Sequence, residues 1–317
     1  MPLNIEPLSP NLGGKVHIAP EEAIQDGVPG ELLKALERYN VLLFPQIHMD
    51  DDTFLTLTRA MGEKHEVKAT DDGSAPSNKG IFRIARDKDD KSQREFILGN
   101  DFWHIDGMNY DVPVKATLLK CERAPGEGGD TGFANLHAAW EAMPEVRKRQ
   151  IEDLRVGHCL SATLRKLYDA PTPEDFARWD AIFSRVEHPL VWKRKSGKTT
   201  MLIGSTANDI AGMSETEGRA LLDDLLDWAT QDRFTYRHKW SDGDLVIFHN
   251  SGLLHKSYPY PDSAGRVMHR TTLKGTESTG AQVPEAAGAL YLAAARKTER
   301  EDFQWFWNVR KFSSRKA

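Results

Sequence analysis

Cysteine is scarce in this 317-residue chain, with only Cys121 and Cys159 present and neither in a CxxC pair. That excludes a disulfide framework and a cysteine-built zinc module. It leaves two reduced thiols in apolar strands, where free cysteine usually sits. Positive charge is not in excess either: the formal net charge is −5. No general basic field then draws the protein to nucleic acid or anionic lipid. No apolar stretch approaches the roughly 20 residues of a membrane span. The opening "MPLNIEPLSPNLGGKVHI" lacks a basic segment followed by an apolar run, so no signal peptide is expected. A cytoplasmic protein with neither a nucleic-acid nor a membrane partner is the expectation. There is no internal repeat.

With 39% hydrophobic and 28% charged residues, the composition is that of an ordinary globular protein. A single domain over 1–317 is expected, with a C-terminal helical extension at about 276–317 ending in an aromatic, basic tail. "GELLKALERYNVLLFP" reads as a helix running into a buried strand, Val41 to Phe44. Phe54, Leu57 and Met61 recur at helical spacing after an acidic start. Residues 68–80 and 86–95 have loop composition, and "IFRIA" between them is strand-like. From Val114 onward short strands dominate: "VKATLLKC", "RVGHCL", "HPLVW", "TTMLI", "FTYRHKW", "DLVIFH" and "RVMHRTTL". One helix interrupts them, opened by a capping box of Ser214 and Glu217 and carrying Leu221, Leu225 and Trp228 on one face. The pattern predicts a mainly β fold with flanking helices, an antiparallel sandwich or jelly roll.

The stretch "FWHIDG" carries the first candidate chemistry. In an extended segment, side chains two apart share a face, so His104 and Asp106 project together and Trp103 and Ile105 oppose them. His-x-Asp alone is a weak signal and needs a third ligand. His249, His255 and His269 are the available imidazoles downstream. Arg266, Met268 and Arg270 share one strand face, which puts His269 on the other. His249 ends an apolar strand and reads as a core or supporting histidine. His255 lies one turn before the arginines. Two imidazoles and one carboxylate with open positions make the facial triad of non-haem Fe(II) oxygenases. Zinc is the rival metal, but its catalytic sites usually keep one open position.

The ordered combination of "WHID", "GEGGDTGFANLHAAWEAM" and H-x10-R-x3-R resembles the taurine dioxygenase and 2,4-dichlorophenoxyacetate dioxygenase family over about Leu32 to Gly275. The resemblance implies a double-stranded β-helix (cupin-like jelly roll) and an Fe(II)- and 2-oxoglutarate-dependent dioxygenase. Dioxygen would be the oxidant, and 2-oxoglutarate would be decarboxylated to succinate and carbon dioxide. It implies His104, Asp106 and His255 as iron ligands. Thr131 and Arg266 would hold the side-chain carboxylate of 2-oxoglutarate. Asn100 and Arg270 would face the primary substrate, expected to be a small carboxylate-bearing organic acid that is most simply hydroxylated. Desaturation or cyclisation after the same hydrogen abstraction stays open, as does a non-catalytic 2-oxoglutarate or small-ligand binder. Halogenation is disfavoured, because its relatives replace the carboxylate ligand and Asp106 is present. Members that take small sulfonates carry a His at the position matching Val67, which argues against taurine. Oligomeric state is left open.

Overall fold

In the computed structural model the chain is described over residues 3–65, 80–86 and 94–283. In chain order the strands are β1 (Ile5–Pro7), β2 (Gly14–Val16), β3 (Val41–Phe44), β4 (Phe82–Ala85), β5 (Ala116–Arg123), β6 (Thr131–Asn135), β7 (Arg155–His158), β8 (Val186–Pro189), β9 (Val191–Lys193), β10 (Thr199–Met201), β11 (Ala207–Ile210), β12 (Thr235–His238), β13 (Leu245–His249), β14 (Leu253–Ser257) and β15 (Val267–Leu273). A seven-stranded sheet has the order β1-β2-β3-β13-β5-β15-β4. The other sheets are β12-β6-β14, β11-β7-β8 and the hairpin β10-β9. All pairings are antiparallel except β2 with β3. This is the jelly roll that the strand pattern predicts.

Alternation along the strands decides which residues face the interior. On β13, Leu245 and Ile247 pack with the helices Val28–Tyr39 and Asp51–Met61, while Val246 and Phe248 point inward to Phe133, Leu253 and Met268. On β5, Ala116 and Leu118 face the helices, and Leu119 and Cys121 face inward. Both faces of the large sheet are thus buried, which explains runs such as "LVIFH" that are apolar at every position but the last. A separate cluster joins Trp103, Ile105, Ala134 and Leu254 to the helix Glu215–Ala229. That helix starts as expected: Ser214 accepts from the Glu217 backbone N–H at 3.3 Å, and the Glu217 carboxylate accepts from the Ser214 N–H at 3.2 Å.

Several expectations change. "HPLVW" splits into β8 and β9, with Leu190 between them bonded to Leu154 and Leu202. The region after Val114 holds further helices, at Leu136–Glu141, Glu145–Ile151, Leu160–Leu164 and Pro173–Ile182. Most of these are too short for a 3.6-residue period to stand out. Arg94 and Glu95 begin a helix, Arg94–Gly99, instead of ending a loop. His104 makes an isolated bridge to His255, and the Phe102–Gly107 stretch is otherwise not strand. The loop expected at 68–80, apart from Gly80, and most of that at 86–95 lie outside the described residues, as do 284–317 of the C-terminal extension. The 276–283 part contains no helix. Both cysteines are buried and free.

Two buried histidines support the smaller sheets. His158 Nε2 donates to Leu202 O (3.1 Å) and His188 Nε2 to Met108 O (2.9 Å), because a carbonyl can only accept. Burial, aided by the neighbouring His188, pushes the His158 imidazolium down to about 3. Burial lowers His188 as well. In the unfolded chain both take protons near pH 6.5. The unfolded state then binds more protons below that pH, so stability falls as pH drops below about 6.5, for His158 down to about 3, by up to about 1.4 kcal/mol per pH unit for each group that remains neutral in the fold. The urea midpoint should therefore be lower at pH 5.5 than at pH 7.5, and His158→Asn should flatten the difference. A midpoint insensitive to pH over that interval would contradict this account.

Candidate active site

Two chain segments meet at the inner face of the barrel. His104 and His255 exchange backbone hydrogen bonds, N–H to O at 2.9 Å in both directions. Ser205 N–H donates to Trp103 O at 2.7 Å and holds the "WHID" segment from the other side. Gly204 has φ +119°, and a Cβ there would lie 2.9 Å from Trp103 O, so this approach requires glycine. On β14, Leu253 and His255 point inward and Leu254 outward, so strand phase aims the imidazole at the interior.

The ligand atoms of His104, Asp106 and His255 all lie within 4.8 Å of one another. Asp106 Oδ1 is 3.8 Å from His104 Nε2 and 3.7 Å from His255 Nε2. His104 Nδ1 donates to Phe102 O at 2.8 Å, which leaves the Nε2 lone pair facing Asp106. Burial by itself would raise the Asp106 carboxyl, but His255, Arg270, His104 and the Thr117 hydroxyl hold it down at about 2. Burial, then the neighbouring His104, pushes His255 down to about 3. At neutral pH the cluster is an ionised carboxylate with a neutral His255, the forms that bind a metal. Separations of 3.7 and 3.8 Å are too long for hydrogen bonds and suit groups arranged around a shared cation. The donor set therefore fits a divalent ion.

A second cluster, Asp51, Glu122 and His269, has similar spacing. There the Lys120 ammonium sits 2.6 Å from Asp51 and 2.6 Å from Glu122, so the cation is already supplied by the chain. His269 bonds Asp51 at 2.9 Å on the helix side of the large sheet, as the strand phase predicts. His249 also faces that side and bonds Glu37 at 2.9 Å. It continues the phase of Leu245 and Ile247, away from the barrel interior.

Two adjoining cavities share His104 and Asp106. The inner one, roughly 50 Å³, is lined also by Thr131, Phe248, His255, Tyr260 and Arg266. Arg266 is only 5% exposed, and its Nε has no hydrogen-bond partner. Its guanidinium lies 5.3 Å from the Tyr260 ring, and burial lowers its pKa. A sealed guanidinium with an unsatisfied donor and a void beside it fits an organic carboxylate. Gly128 and Gly129 bring Thr131 here: both have left-handed φ, and a Cβ on Gly128 would lie 2.5 Å from Pro259 O. Trp240 Nε1 donates to Thr131 Oγ1 at 3.0 Å.

The outer cavity, roughly 190 Å³, has apolar walls from Phe82, Ile84, Ile97, Leu160, Ile182 and Phe183. Asn100 and Arg270 border both cavities, whereas Arg266 borders the inner one alone. Arg266 precedes β15, and the β15–β5 register shifts between Val267 and Met268. Arg266 therefore stands just outside the strand that carries Arg270, yet both line the inner cavity, as a shared face predicts. Arg270 lies over the Phe82 ring at 4.7 Å.

Sequence reasoning missed Thr117, Asn250 and Tyr110, and noted His65 only as a histidine close to Val67 whose register was open. Thr117 was available from phase, since it alternates with Leu119 and Cys121 on β5. His65 bonds Thr272 through its backbone at 2.8 Å, meets the Tyr110 ring edge-on at 5.5 Å and lines the outer cavity. In the sequence only its place two positions before Val67 marks it. Val67 lies outside the described residues.

Among jelly rolls, an inward pair of imidazoles with one carboxylate, next to a buried guanidinium, is the arrangement of iron- and 2-oxoglutarate-dependent oxygenases. The family model "Taurine catabolism dioxygenase TauD, TfdA family" matches residues 4–272, and the chain belongs to that family. It is 29% identical to an (S)-phenoxypropionate/alpha-ketoglutarate-dioxygenase of Sphingobium herbicidovorans, over 86% of this chain and 95% of that protein. It is 29% identical to an alpha-ketoglutarate-dependent 2,4-dichlorophenoxyacetate dioxygenase of a Burkholderia species, over 87% and 95%. The crystal structure of AAD-2 in complex with Mn(II) and N-oxalylglycine superposes with a TM-score of 0.73 at 29% identity, covering 87% of this chain and 99% of that one. In that complex Mn(II) stands in for iron and N-oxalylglycine for 2-oxoglutarate. The protein is thus an oxidoreductase that uses Fe(II), 2-oxoglutarate and dioxygen. Among the described residues no helix is long and apolar enough to cross a membrane.

Proposed function

We propose that the chain hydroxylates a small organic acid with an apolar body, and that its residues divide the work between the two cavities. His104, Asp106 and His255 hold Fe(II). Thr131 and Arg266 grip the distal carboxylate of 2-oxoglutarate in the inner cavity. Asn100 and Arg270 face the primary substrate in the outer one. When bound, iron and 2-oxoglutarate supply the activation of dioxygen; the chain supplies orientation, charge and exclusion of water.

The observation that carries this reading is the pair of cavities meeting at one His/Asp cluster, the inner sealed around Arg266 and the outer apolar with Arg270 at its inner end. An arginine beside an apolar chamber matches an anion on a hydrophobic body. The names of the phenoxypropionate and 2,4-dichlorophenoxyacetate relatives point the same way. Relatives named for sulfate esters also exist. His65 offers the outer cavity an imidazole, so the argument against a sulfonate rests on the apolar walls rather than on Val67. Asp106 is within electrostatic reach of Arg270, so part of its charge is already met by the chain.

Oxygen uptake and succinate release, screened over aryl and alicyclic carboxylates, taurine-like sulfonates and neutral analogues, test the reading. Carboxylates should give the highest kcat/KM. Arg270→Gln should raise the KM of the best substrate by about tenfold or more, the value of one charged hydrogen bond, and shift the 2-oxoglutarate requirement far less. Decarboxylation of 2-oxoglutarate without substrate should survive. A neutral compound as best substrate, or an unchanged KM, would remove Arg270 from substrate recognition.

A further inference from the structure

Asp106 has two oxygens, and the chain treats them differently. Oδ1 faces the two imidazoles. Oδ2 is engaged by the Thr117 hydroxyl, Oγ1 to Oδ2 at 2.8 Å. Thr117 in turn accepts from Asn250 Nδ2 at 2.9 Å. Asn250 is fully buried, in the turn Asn250–Gly252 that joins β13 to β14, and its backbone N–H is anchored to Lys115 O at 3.0 Å. The direction of this chain of bonds is forced. An ionised carboxylate only accepts, a threonine hydroxyl has one proton, and that proton must go to Asp106. Thr117 then needs a donor from the other side, and the amide nitrogen of Asn250 is that donor. The Asn250 Oδ1 is left buried without a hydrogen-bond partner, a cost the fold retains.

We propose that Thr117, oriented by Asn250, is a positioning residue that restricts Asp106 to a single ligand oxygen, and so keeps a place at the metal for 2-oxoglutarate. The proposal rests on the reading of His104, Asp106 and His255 as the metal ligands. With Oδ2 tied into the wall of β5, the carboxylate cannot turn both oxygens toward the imidazoles. Without the hydroxyl, it is free to rotate and to compete with the cosubstrate for the same space. The consequence is specific: cosubstrate binding suffers more than metal binding.

The test compares wild type with Thr117→Val, Thr117→Ser and Asn250→Leu. Mn(II) affinity is read from the electron paramagnetic resonance signal of the free ion. Affinity for 2-oxoglutarate is read anaerobically from the visible charge-transfer absorbance of the Fe(II)-loaded protein. Loss of a hydrogen bond to a metal ligand commonly costs about 10–100-fold. For Thr117→Val the larger part of such a cost should fall on 2-oxoglutarate, with the charge-transfer band displaced and Mn(II) affinity lowered less than 2-oxoglutarate affinity. Asn250→Leu should give a smaller loss in the same direction, since the hydroxyl remains but is no longer steered. Thr117→Ser should restore wild-type binding. Should Thr117→Val fail to fold, Asn250→Leu is read by the same criteria. An unaltered 2-oxoglutarate titration and band would overturn the relay. So would a parallel fall of metal affinity, cosubstrate affinity and thermal midpoint, or a serine variant that restores nothing. A wild-type protein that binds no Mn(II), or one whose Mn(II) binding is untouched by His104→Ala, would overturn the ligand reading and the relay with it. Normal wild-type binding with an unaltered Thr117→Val overturns the relay alone.

Discussion

His255→Ala should remove stoichiometric iron and lower turnover by about a thousandfold or more, the equivalent of roughly 4 kcal/mol in the barrier. The reason lies in strand phase and in desolvation. His255 is buried beside Phe248 (ring centroids 4.6 Å apart), its imidazole is neutral at physiological pH, and its Nε2 is 3.7 Å from Asp106. Removing one of three donors leaves a carboxylate and a single imidazole for the metal. His249→Ala is the matched control. His249 is equally buried but bonds Glu37 on the far side of the large sheet. That variant should keep its iron and lose about 1–3 kcal/mol of stability from the broken buried hydrogen bond. Iron content by elemental analysis, with urea unfolding alongside, separates the two. Loss of iron from His249→Ala with retention in His255→Ala would reverse the assignment.

Arg266→Ala should raise the 2-oxoglutarate concentration needed for half-maximal binding by about 30-fold to several thousand-fold, corresponding to about 2–5 kcal/mol for a desolvated charged pair. Mn(II) binding should hold, because Arg266 is not among the grouped ligand atoms of His104, Asp106 and His255. A second readout distinguishes this from general damage. The Arg266 guanidinium is 5% exposed, with an unpartnered Nε. Removing a buried guanidinium that keeps an unsatisfied donor need not destabilise the protein. The thermal midpoint of the metal-free variant should therefore be no lower than that of wild type, while the stabilisation on adding 2-oxoglutarate disappears. A fall in midpoint with an unchanged cosubstrate affinity would make Arg266 a structural residue.

Much of this site can be read along the chain, because period-2 alternation survives translation into space. Met268 and Arg270 face inward and His269 outward, as "RVMHR" requires. The same rule places Thr117 in the barrel. The alternation fails where the backbone leaves the ladder. Arg266 stands one residue before β15, where the ladder shifts register because β5 carries the extra residue Glu122 opposite the Val267–Met268 step, and no local signal in "SAGRVM" announces a bulge on the partner strand. The "FWHIDG" stretch places His104 and Asp106 together through a single bridge to His255 and a contact with Gly204, not through a strand of its own. Short helices such as Leu160–Leu164 went unseen because one turn of periodicity carries little information.

The sequence by itself determined the fold class, the apolar layers on either side of the large sheet, and the residue types that can hold a metal and an organic anion. These follow from composition, alternation and motif order, which are properties of the chain read in one dimension. The tertiary structure then brought His255, the histidine that strand phase and motif order favour, to His104 and Asp106 and gave His249 and His269 other partners. It alone placed Arg270 on both cavities and Arg266 on the inner one, showed Lys120 as the cation of the other acidic cluster, and tied Asp106 to Thr117 and Asn250. Asn250 lies 144 positions from Asp106 and 133 from Thr117. Hydrogen bonds reach about 3 Å whatever the sequence separation, so such partners are chosen by packing, which no local pattern encodes.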